Sequence, residues 1–344
     1  MKILVTGSTG FIGKRLTKSL ARSGNEVYCL VRKQSLEKAA DIFKGEANIH
    51  FIPGDLTNND VLDEVSGADT IVNGIEAVIH LAGLYDLSVS HTEAYVSNVV
   101  GTQNLLYLLQ RMKKLHIFHY ISTYTVSGIH DGDFMEEDLD PGIPFRDFYS
   151  QTKMQAELLV RNTRMPTVAL RIYRPGIVIG DSVTGEMDKI DGPYYFFRFF
   201  RELSKYTKRI PLNVLPVPYH QGATLPFVPV NIIVKWLTEM VNKPTHHMTR
   251  TYHLVPDEKI FVGHIMEETA KYFGLNLRVQ RIPMPMVLKK VFPLLKIPSE
   301  VDAYIQNATR YSTANLKKDF PQLKCPLVSD YLPTIMSRAK ELFP

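Results

Sequence analysis

The chain has 344 residues, enough for one large domain or two closely associated ones at about 150 residues per domain. With 45% hydrophobic and 22% charged residues, the composition is typical of a globular protein and excludes a disordered, collagen-like or disulfide-framework chain. The formal net charge of +5 is too small and too evenly spread to indicate a nucleic-acid partner, so none is predicted.

Apolar runs alternate with amphipathic segments through the first half of the chain. Strands are predicted at residues 3–6, 26–31, 49–53, 77–81, 116–122 and 168–174, and helices at 11–23, 96–113 and 149–164. This alternation is typical of βαβ units and a parallel sheet, and the short apolar strands suit a sheet covered on both faces. We therefore predict an α/β fold with a doubly wound parallel sheet, a Rossmann domain over residues 1–175.

The second half has a different texture, rich in proline and aromatic residues. It predicts a smaller substrate-binding lobe over residues 176–344, of which about 226–256 return to the Rossmann domain with a strand at 251–255. The aromatic residues at 194–200 either line a tunnel for the substrate or pack as a helix on the lobe core.

The N-terminal residues bear on the compartment. The first apolar run, Ile3-Leu4-Val5, is shorter than the roughly 7–15 residues of a secretory signal core, and no apolar stretch approaches the roughly 18 residues of a membrane span. Two distant cysteines, Cys29 and Cys325, form no disulfide framework. We expect a cytoplasmic protein without a transmembrane segment.

Three glycines lie between the first strand and the first helix, in Thr6-Gly7-Ser8-Thr9-Gly10-Phe11-Ile12-Gly13. Gly7 suits a tight turn, Gly10 lets the backbone approach a pyrophosphate, and Gly13 allows close packing of helix on strand. The helix N-terminus offers free N–H groups to the phosphates. A glycine triplet alone is weak evidence, but its strand–turn–helix setting predicts dinucleotide binding.

The end of the second strand distinguishes NAD from NADP. Sites that prefer NAD place a carboxylate there for the ribose 2′-hydroxyl, whereas this chain has Arg32-Lys33-Gln34-Ser35. Arg32 can pair with a 2′-phosphate and Ser35 can add a hydroxyl, so NADP(H) is predicted; the alternative is a solvated basic loop. Asp55, after the third strand, either accepts a bond from the adenine amino group or caps a helix.

Tyr149 and Lys153 are four residues apart on a predicted helix and so share one face. A cation beside a phenol lowers the tyrosine pKa from its usual value near 10, so Tyr149 can exchange a proton with a carbonyl oxygen. Lys153 can also hold the nicotinamide ribose. The fifth predicted strand ends at Ser122-Thr123, where a hydroxyl points into the ligand crevice and can orient the substrate oxygen; the alternative is a turn cap.

Together these motifs resemble those of the extended short-chain dehydrogenase/reductases. The set also contains His80-Leu81-Ala82-Gly83, Asn98 and Arg174-Pro175-Gly176, and the resemblance covers essentially the whole chain. It implies a Ser/Thr–Tyr–Lys triad in which Thr123, counted back from Gly128, takes the hydroxyl role. Asn98 would anchor a water relay behind Lys153, and His80 would shape the cofactor pocket.

The resemblance also implies a set of cofactor-binding residues. Besides Arg32, Ser35 and Asp55, they are Gly7, Thr9, Gly10, Phe11, Ile12, Gly13, Leu56, Leu81, Ala82, Gly83, Tyr149, Lys153, Tyr173, Pro175, Gly176 and Ile177.

A narrower resemblance, to the thioester-reductase branch, rests on HLAGLYDL at residues 80–87, YRPGIVIGDS at 173–182 and TGEMDKIDGPYYFF at 184–197. These stretches are similar to the N-terminal reductase domain of bacterial two-domain fatty acyl-CoA reductases and, more distantly, to the terminal domains of carboxylic acid reductases. The resemblance implies NADPH, a role in lipid metabolism, and a long-chain acyl thioester on CoA or an acyl-carrier protein, or a fatty aldehyde. These residues contain no second reductase module, which leaves one or two reduction steps open.

Two other interpretations stay open. The same triad serves extended-family dehydrogenases and epimerases that act on hydroxysteroids, other alcohols or ketones, or nucleotide sugars. The other interpretation is a non-enzymatic dinucleotide sensor, although the Tyr149–Lys153 pair argues against it. No metal site is predicted, because His246, His247 and His253 lack partners at ligand spacing. The resemblance leaves a homodimer through a helical face open.

Overall fold

A computed structural model describes residues 1–62, 67–85, 90–188, 194–207, 213–243, 246–282 and 305–342. Its centre is a seven-stranded sheet. The strands are β1 (Lys2–Thr6), β2 (Glu26–Val31), β3 (Ile49–Pro53), β4 (Ala77–His80), β5 (Ile117–Ile121), β7 (Ala169–Pro175) and β11 (Thr249–Leu254). They are hydrogen-bonded in the order β11-β7-β5-β4-β1-β2-β3, and every neighbouring pair is parallel.

Helices cover both faces of this sheet. Because side chains alternate along a strand, Ile3 and Val5 of β1 face one side and Leu4 the other. The first side packs against α1 (Phe11–Arg22) and α8 (Val230–Asn242). The second packs against α5 (Gly101–Arg111) and α6 (Phe148–Asn162). The predicted doubly wound α/β fold is therefore confirmed.

The helix predicted over residues 96–113 is present as one π-helical turn (Val96–Val100) followed directly by α5. A capping box of Ser90 and Glu93 begins α4 (His91–Tyr95), which runs into this π turn. The helical segment therefore begins earlier than predicted, and its π turn keeps an almost helical spacing of apolar residues. The remaining short helices of this half are α2 (Leu36–Ile42) and α3 (Ala68–Val72).

The lobe has a separate hydrophobic core around α7 (Tyr194–Thr207), α9 (Val262–Tyr272) and the C-terminal helix Val328–Leu342. Three two-stranded parallel sheets lie outside the central sheet. They pair β6 (Gly132–Phe134) with β13 (Thr309–Tyr311), β8 (Ile177–Ile179) with β10 (Phe227–Pro229), and β9 (Val214–Pro218) with β12 (Arg278–Ile282). Phe196, Phe197 and Phe200 of α7 are buried in this core, so most of the 194–200 run packs on the lobe.

Part of the second half packs against the central sheet and its helices. Helix α8 packs on α1 and β11 pairs with β7, whereas β10 pairs with β8 outside the central sheet. The short helix Ala314–Asp319 also packs against this side through Leu316. The division at residue 175 stays a prediction. In the described part of the chain, no helix is long and apolar enough to cross a bilayer.

Candidate active site

A cavity of about 610 Å³ opens where β1, β4, β5 and β7 end. Its walls include Gly7, Leu81, Thr123 and Gly176, one residue from the segment that follows each strand. The crevice at the carboxyl ends of the strands is where open α/β sheets bind ligands. The predicted site residues in its lining are Gly7, Thr9, Gly10, Phe11, Ile12, Gly13, Leu81, Gly83, Thr123, Tyr149, Lys153, Pro175, Gly176 and Ile177.

The glycine turn forms one end of the cavity. Gly7 has a φ of 74°, and a Cβ on it would lie 2.6 Å from the Ala82 nitrogen. A Cβ on Gly13 would lie 2.0 Å from the Gly7 carbonyl oxygen. Gly10 precedes α1 without a side-chain cap, and the first turn of α1 carries no acidic residue. The free N–H groups of that turn and the absence of a Cβ at these positions fit a dinucleotide pyrophosphate.

The residues predicted to read the adenosine half lie outside the cavity lining. Arg32 is exposed at the end of β2, and Ser35 closes the short 3₁₀ turn that follows it. Asp55 accepts bonds from the Thr57 N–H at 2.9 Å and the Thr57 hydroxyl at 2.8 Å, so it caps a turn. The helix-cap alternative for Asp55 is wrong, because no helix begins there.

Two further residues complete this end of the site. The Leu56 carbonyl accepts a bond from the Asn104 side chain at 2.8 Å, which ties the loop after β3 to α5. Lys38 of α2 lines the cavity, although the sequence analysis did not single it out. The signal available in the sequence was a basic residue in the first turn of the helix that follows β2.

Tyr149 and Lys153 lie on the first turns of α6 and face the cavity with Thr123. Asp147 begins the helix by accepting the Ser150 N–H at 2.7 Å. The Lys153 ammonium donates to the Ile121 carbonyl at 2.8 Å. Thr123 accepts the Thr125 N–H at 3.3 Å, so its hydroxyl also caps the following turn, as the alternative interpretation expected.

Burial dominates the protonation of this pair in the protein alone. It raises the pKa of the Tyr149 phenol above its ordinary value, while the neighbouring Thr123 hydroxyl acts in the opposite direction. Burial also lowers the pKa of Lys153 to about 8, against the effect of the Glu157 carboxylate. The expectation of a lowered Tyr149 pKa is therefore wrong for the protein alone, where burial raises that pKa.

Asn98 lies on the π turn, beside α6. Its side-chain oxygen accepts the Leu84 N–H at 2.8 Å, and its amide nitrogen donates to Thr152 at 3.0 Å. A Cβ on Gly83 would lie 3.0 Å from the same oxygen and 4.0 Å from the Lys153 ammonium. Local π turns recur at functional sites. Asn98 thus joins the loop after β4 to α6 close to Lys153, and its part in a water relay stays a prediction.

His80 connects the glycine turn to the π turn through a directed chain of hydrogen bonds. The Thr102 hydroxyl donates to the Asn98 carbonyl at 2.6 Å, so it must accept from His80 Nε2 at 3.1 Å. His80 Nδ1 then accepts from the Thr6 hydroxyl at 2.6 Å, which accepts the Ala82 N–H at 3.3 Å. Burial lowers the pKa of His80 to about 3. A neutral His80 therefore positions the loop, in agreement with the expectation that it shapes the pocket.

The sequence analysis missed a buried ionic network behind the site. Glu157, one turn beyond Lys153, accepts bonds from Arg174 at 2.7 and 3.1 Å, from Arg161 at 3.0 Å and from the Ser122 hydroxyl at 2.6 Å. The signal in the sequence was that Glu157 follows Lys153 by four residues, the same spacing that separates Lys153 from Tyr149. This network holds α6 against the strand ends that carry Thr123.

Tyr173 lies within the sheet layer rather than in the cavity lining. Its hydroxyl bonds to His119 at 2.8 Å, and its carbonyl accepts the Ser122 N–H at 2.7 Å. Its side chain is fully buried. Any cofactor contact at this position is therefore limited to the backbone, and the predicted role of Tyr173 is untested.

The segment predicted to mark the thioester-reductase branch passes beside the cavity. Asp188 lines it and accepts a bond from the Lys14 ammonium of α1 at 2.9 Å. Met187 and Tyr194 also line it. Residues 189–193 of this run lie outside the described residues.

A sequence profile of the family described as Male sterility protein, an NAD-binding family, matches residues 5–237. The chain belongs to this family. The predicted family resemblance is confirmed: the chain belongs to an NAD-binding family, and its relatives include a hybrid PKS-NRPS synthetase and a fatty acyl-CoA reductase. The choice between NAD and NADP is not decided by this membership.

Known proteins agree with this assignment. The chain is 25% identical over 334 residues to fatty acyl-CoA reductase 1 of Xenopus laevis. The aligned region covers 80% of this chain and 64% of that protein. The chain spans less than two thirds of the length of the curated relatives it matches.

Solved structures show the same fold. The terminal R domain from the myxalamid PKS-NRPS biosynthetic pathway superposes with a TM-score of 0.81 at 23% identity, covering 100% of this chain and 91% of that one. UDP-glucuronic acid 4-epimerase from Bacillus cereus, in complex with UDP-glucuronic acid and NAD, gives 0.71 at 20% identity, covering 99% and 100%. At these identities the likeness concerns the fold alone.

Proposed function

We propose that the protein uses NADPH to reduce a lipid-like acyl thioester of the fatty acyl-CoA type, or a fatty aldehyde. The observation that carries the proposal is that Thr123, Tyr149 and Lys153 line the same cavity as the glycine turn. The acyl group arrives on CoA or on an acyl-carrier protein. A cytoplasmic location belongs to the same proposal.

When bound, the nicotinamide supplies hydride to the carbonyl carbon. Tyr149 gives its phenolic proton to the carbonyl oxygen, and the Thr123 hydroxyl orients that oxygen. Because burial raises the pKa of Tyr149, the phenol keeps its proton until negative charge develops on the oxygen. Lys153, fixed by the Ile121 carbonyl, places a positive charge beside the phenolate that remains. From a thioester, the tetrahedral product expels the thiol and leaves an aldehyde.

The cavity walls favour a lipid-like substrate. Beyond the triad they carry apolar and aromatic side chains, among them Tyr85, Tyr124, Ile129, Phe145 and Met187. Apolar walls with a few fixed polar groups are typical of small-molecule sites. The likeness to a fatty acyl-CoA reductase supports the same substrate class.

NADPH is proposed as the cofactor because the four residues directly after β2, Arg32-Lys33-Gln34-Ser35, include two cations and no carboxylate. Arg32 stands at the strand end, and Lys38 lines the cavity from α2. A guanidinium can hold a 2′-phosphate through two parallel hydrogen bonds.

The test is incubation of the purified protein with NADPH and either long-chain acyl-CoA or long-chain aldehyde, followed by absorbance at 340 nm and mass spectrometry of the products. Consumption of NADPH with formation of aldehyde or alcohol is expected. Turnover of a sugar nucleotide or a sterol, with none of the acyl substrates, would overturn the proposal in favour of another extended-family activity.

The proton donor is tested by Tyr149→Phe, which should abolish turnover while NADPH still binds. Tyr107→Phe is the matched control, because Tyr107 is exposed on α5 and does not line the cavity. Unchanged turnover in Tyr149→Phe would remove Tyr149 from the mechanism.

A further inference from the structure

The Lys153 ammonium has an aromatic neighbour that the proposed mechanism does not use. Its Nζ atom lies over the ring of Tyr120, 4.7 Å from the ring centroid. A cation within about 6 Å of a ring face is attracted by the negative charge that the π electrons place there. Tyr120 directly precedes Ile121, whose carbonyl accepts the Lys153 bond at 2.8 Å. Two consecutive residues of β5 therefore hold one ammonium group.

The Tyr120 ring is fixed by its surroundings before any ligand binds. The side chain is fully buried, in the core that α5 and α6 cover. The ring centroids of Phe118, on the same strand, and of His80, on β4, lie 6.4 and 5.7 Å from that of Tyr120. Lys153 itself is only 5% exposed. Because cation–π attraction is stronger where water is excluded, this buried contact is of the stronger kind.

In the described part of the chain, the titratable groups that face the Lys153 ammonium come from three elements. They are Tyr149 and Glu157 on α6, His80 on β4 and Tyr120 on β5. The Glu157 carboxylate is bonded to two arginines, and burial keeps His80 neutral by lowering its pKa to about 3. Burial also disfavours the charged form of Lys153. The Tyr120 ring is the neighbour that stabilises this charge without a counter-charge of its own.

We propose that Tyr120 is a positioning residue whose ring face keeps the Lys153 ammonium charged at the place from which it acts on Tyr149. The inference rests on the proposed function and deepens it. In the proposed step Tyr149 becomes a phenolate, which a neutral Lys153 could not stabilise. A ring attracts the cation but does not neutralise it, so the charge stays available for Tyr149. Tyr120 does not line the cavity formed by the described residues, so it acts through Lys153.

The experiment measures the pKa of Lys153 without any substrate. The protein is labelled with ¹³C at the lysine Cε atoms and titrated by NMR from about pH 6 to about pH 10, and Lys153→Met identifies the Lys153 signal. Tyr120→Leu removes the ring and should lower the Lys153 pKa by about 0.4 to 1.5 pH units, the size of a cation–π contribution. Tyr120→Phe keeps the ring and should keep the pKa of the unaltered protein.

Phe118→Leu is the matched control. It removes a ring from the same strand and the same core, and among the described residues no cation lies over that ring. A merely loosened core would admit water and raise the Lys153 pKa towards its ordinary value of 10.5, which is the opposite direction. The control should therefore leave this pKa unchanged or raise it. Tyr120→Met, which fills more of the space without a ring, replaces Tyr120→Leu if that variant does not fold.

The kinetic consequence is measured in the pH profile of kcat/KM with NADPH and an acyl substrate. Because Lys153 must be charged, activity is lost as the pH rises through its pKa. In Tyr120→Leu this loss should begin at a pH lower by the same amount, whereas Tyr120→Phe should keep the profile of the unaltered protein.

A Lys153 pKa that is unchanged or higher in Tyr120→Leu would overturn the inference, and so would an equal fall in Tyr120→Phe or Phe118→Leu. A lower pKa with an unchanged pH profile would also overturn it, because the ring would then have no effect on the reaction. If the pKa falls as expected but the unaltered protein reduces neither acyl thioester nor aldehyde, the effect of Tyr120 on Lys153 is supported and the proposed substrate is wrong.

Discussion

Replacing Glu157 by glutamine should destabilise the fold strongly, although the two side chains have almost the same shape. Glu157 and Arg174 are both fully buried, and their charged groups are 2.7 Å apart. Glutamine removes the negative charge and leaves the Arg174 guanidinium buried without its counter-ion. Removing one partner of a buried ion pair costs about 3–5 kcal/mol, because the remaining charge is uncompensated.

The assay is denaturant unfolding at pH 7, followed by the fluorescence of Trp236, which is the only tryptophan of the chain and is buried against the sheet. Glu202→Gln is the matched control, since Glu202 also pairs with a cation at 2.7 Å but both side chains are about half exposed. Exposed pairs contribute at most about 1 kcal/mol. Equal losses in the two variants would refute the reasoning that burial makes the Glu157 pair important.

The pH dependence gives a second measure of the same pair. Although burial raises the pKa of Glu157, the charges and hydrogen bonds of Arg174 and the charge of Arg161 bring it below its ordinary value. A lowered folded-state pKa stabilises the fold above the unfolded value, near 4.3, and this contribution is lost as the pH falls through the folded pKa. The difference in unfolding free energy between the unaltered protein and Glu157→Gln should therefore narrow below about pH 4.

Three further outcomes are expected. Gly13→Ala should weaken NADPH binding more than about tenfold in a fluorescence titration, because its Cβ would meet the Gly7 carbonyl oxygen at 2.0 Å. Arg32→Ala should lower the NADPH-to-NADH ratio of kcat/KM about tenfold, and an equal loss with both cofactors would contradict a 2′-phosphate role. Lys153→Met should lose turnover yet unfold at higher denaturant at pH 7. The folded-state pKa of Lys153, about 8, lies below its ordinary value, so its charge opposes folding up to about pH 8 and this penalty fades as the pH approaches 10.5.

The sheet and the cofactor turn could be predicted from the sequence because their signals are local. A short apolar run such as the one at β1 is needed wherever a strand is covered on both faces. The glycines after it are needed because the turn is tight and the helix packs closely on it. The capping box of Ser90 and Glu93 is an equally local signal, and it marks the start of α4. The π turn was not predictable, since it changes the hydrogen-bond pattern without changing the apolar spacing.

The lobe side of the site could not be predicted, because it depends on contacts between distant segments. Strands β6 and β13 have three residues each, too few to show a period, and they pair across about half of the chain. Gln306 and Asn307 belong to no motif, and only the folded chain brings them to the cavity from a distant part of the sequence. Likewise, Arg174 was noted in a family motif, but only the folded chain shows that it neutralises Glu157.

These contacts also explain why the Lys153 ammonium on α6 is not paired with the nearby Glu157 carboxylate. Lys153 and Glu157 are one turn apart, and a direct pair between them would commit the ammonium to a carboxylate. Instead Arg174 and Arg161 occupy both carboxylate oxygens of Glu157, while Lys153 donates to a neutral carbonyl, that of Ile121. The positive charge of Lys153 is therefore left to act on Tyr149 when the phenol gives up its proton. In the proposed mechanism the arginines serve catalysis without touching the substrate, by occupying the carboxylate that would otherwise compete for the lysine.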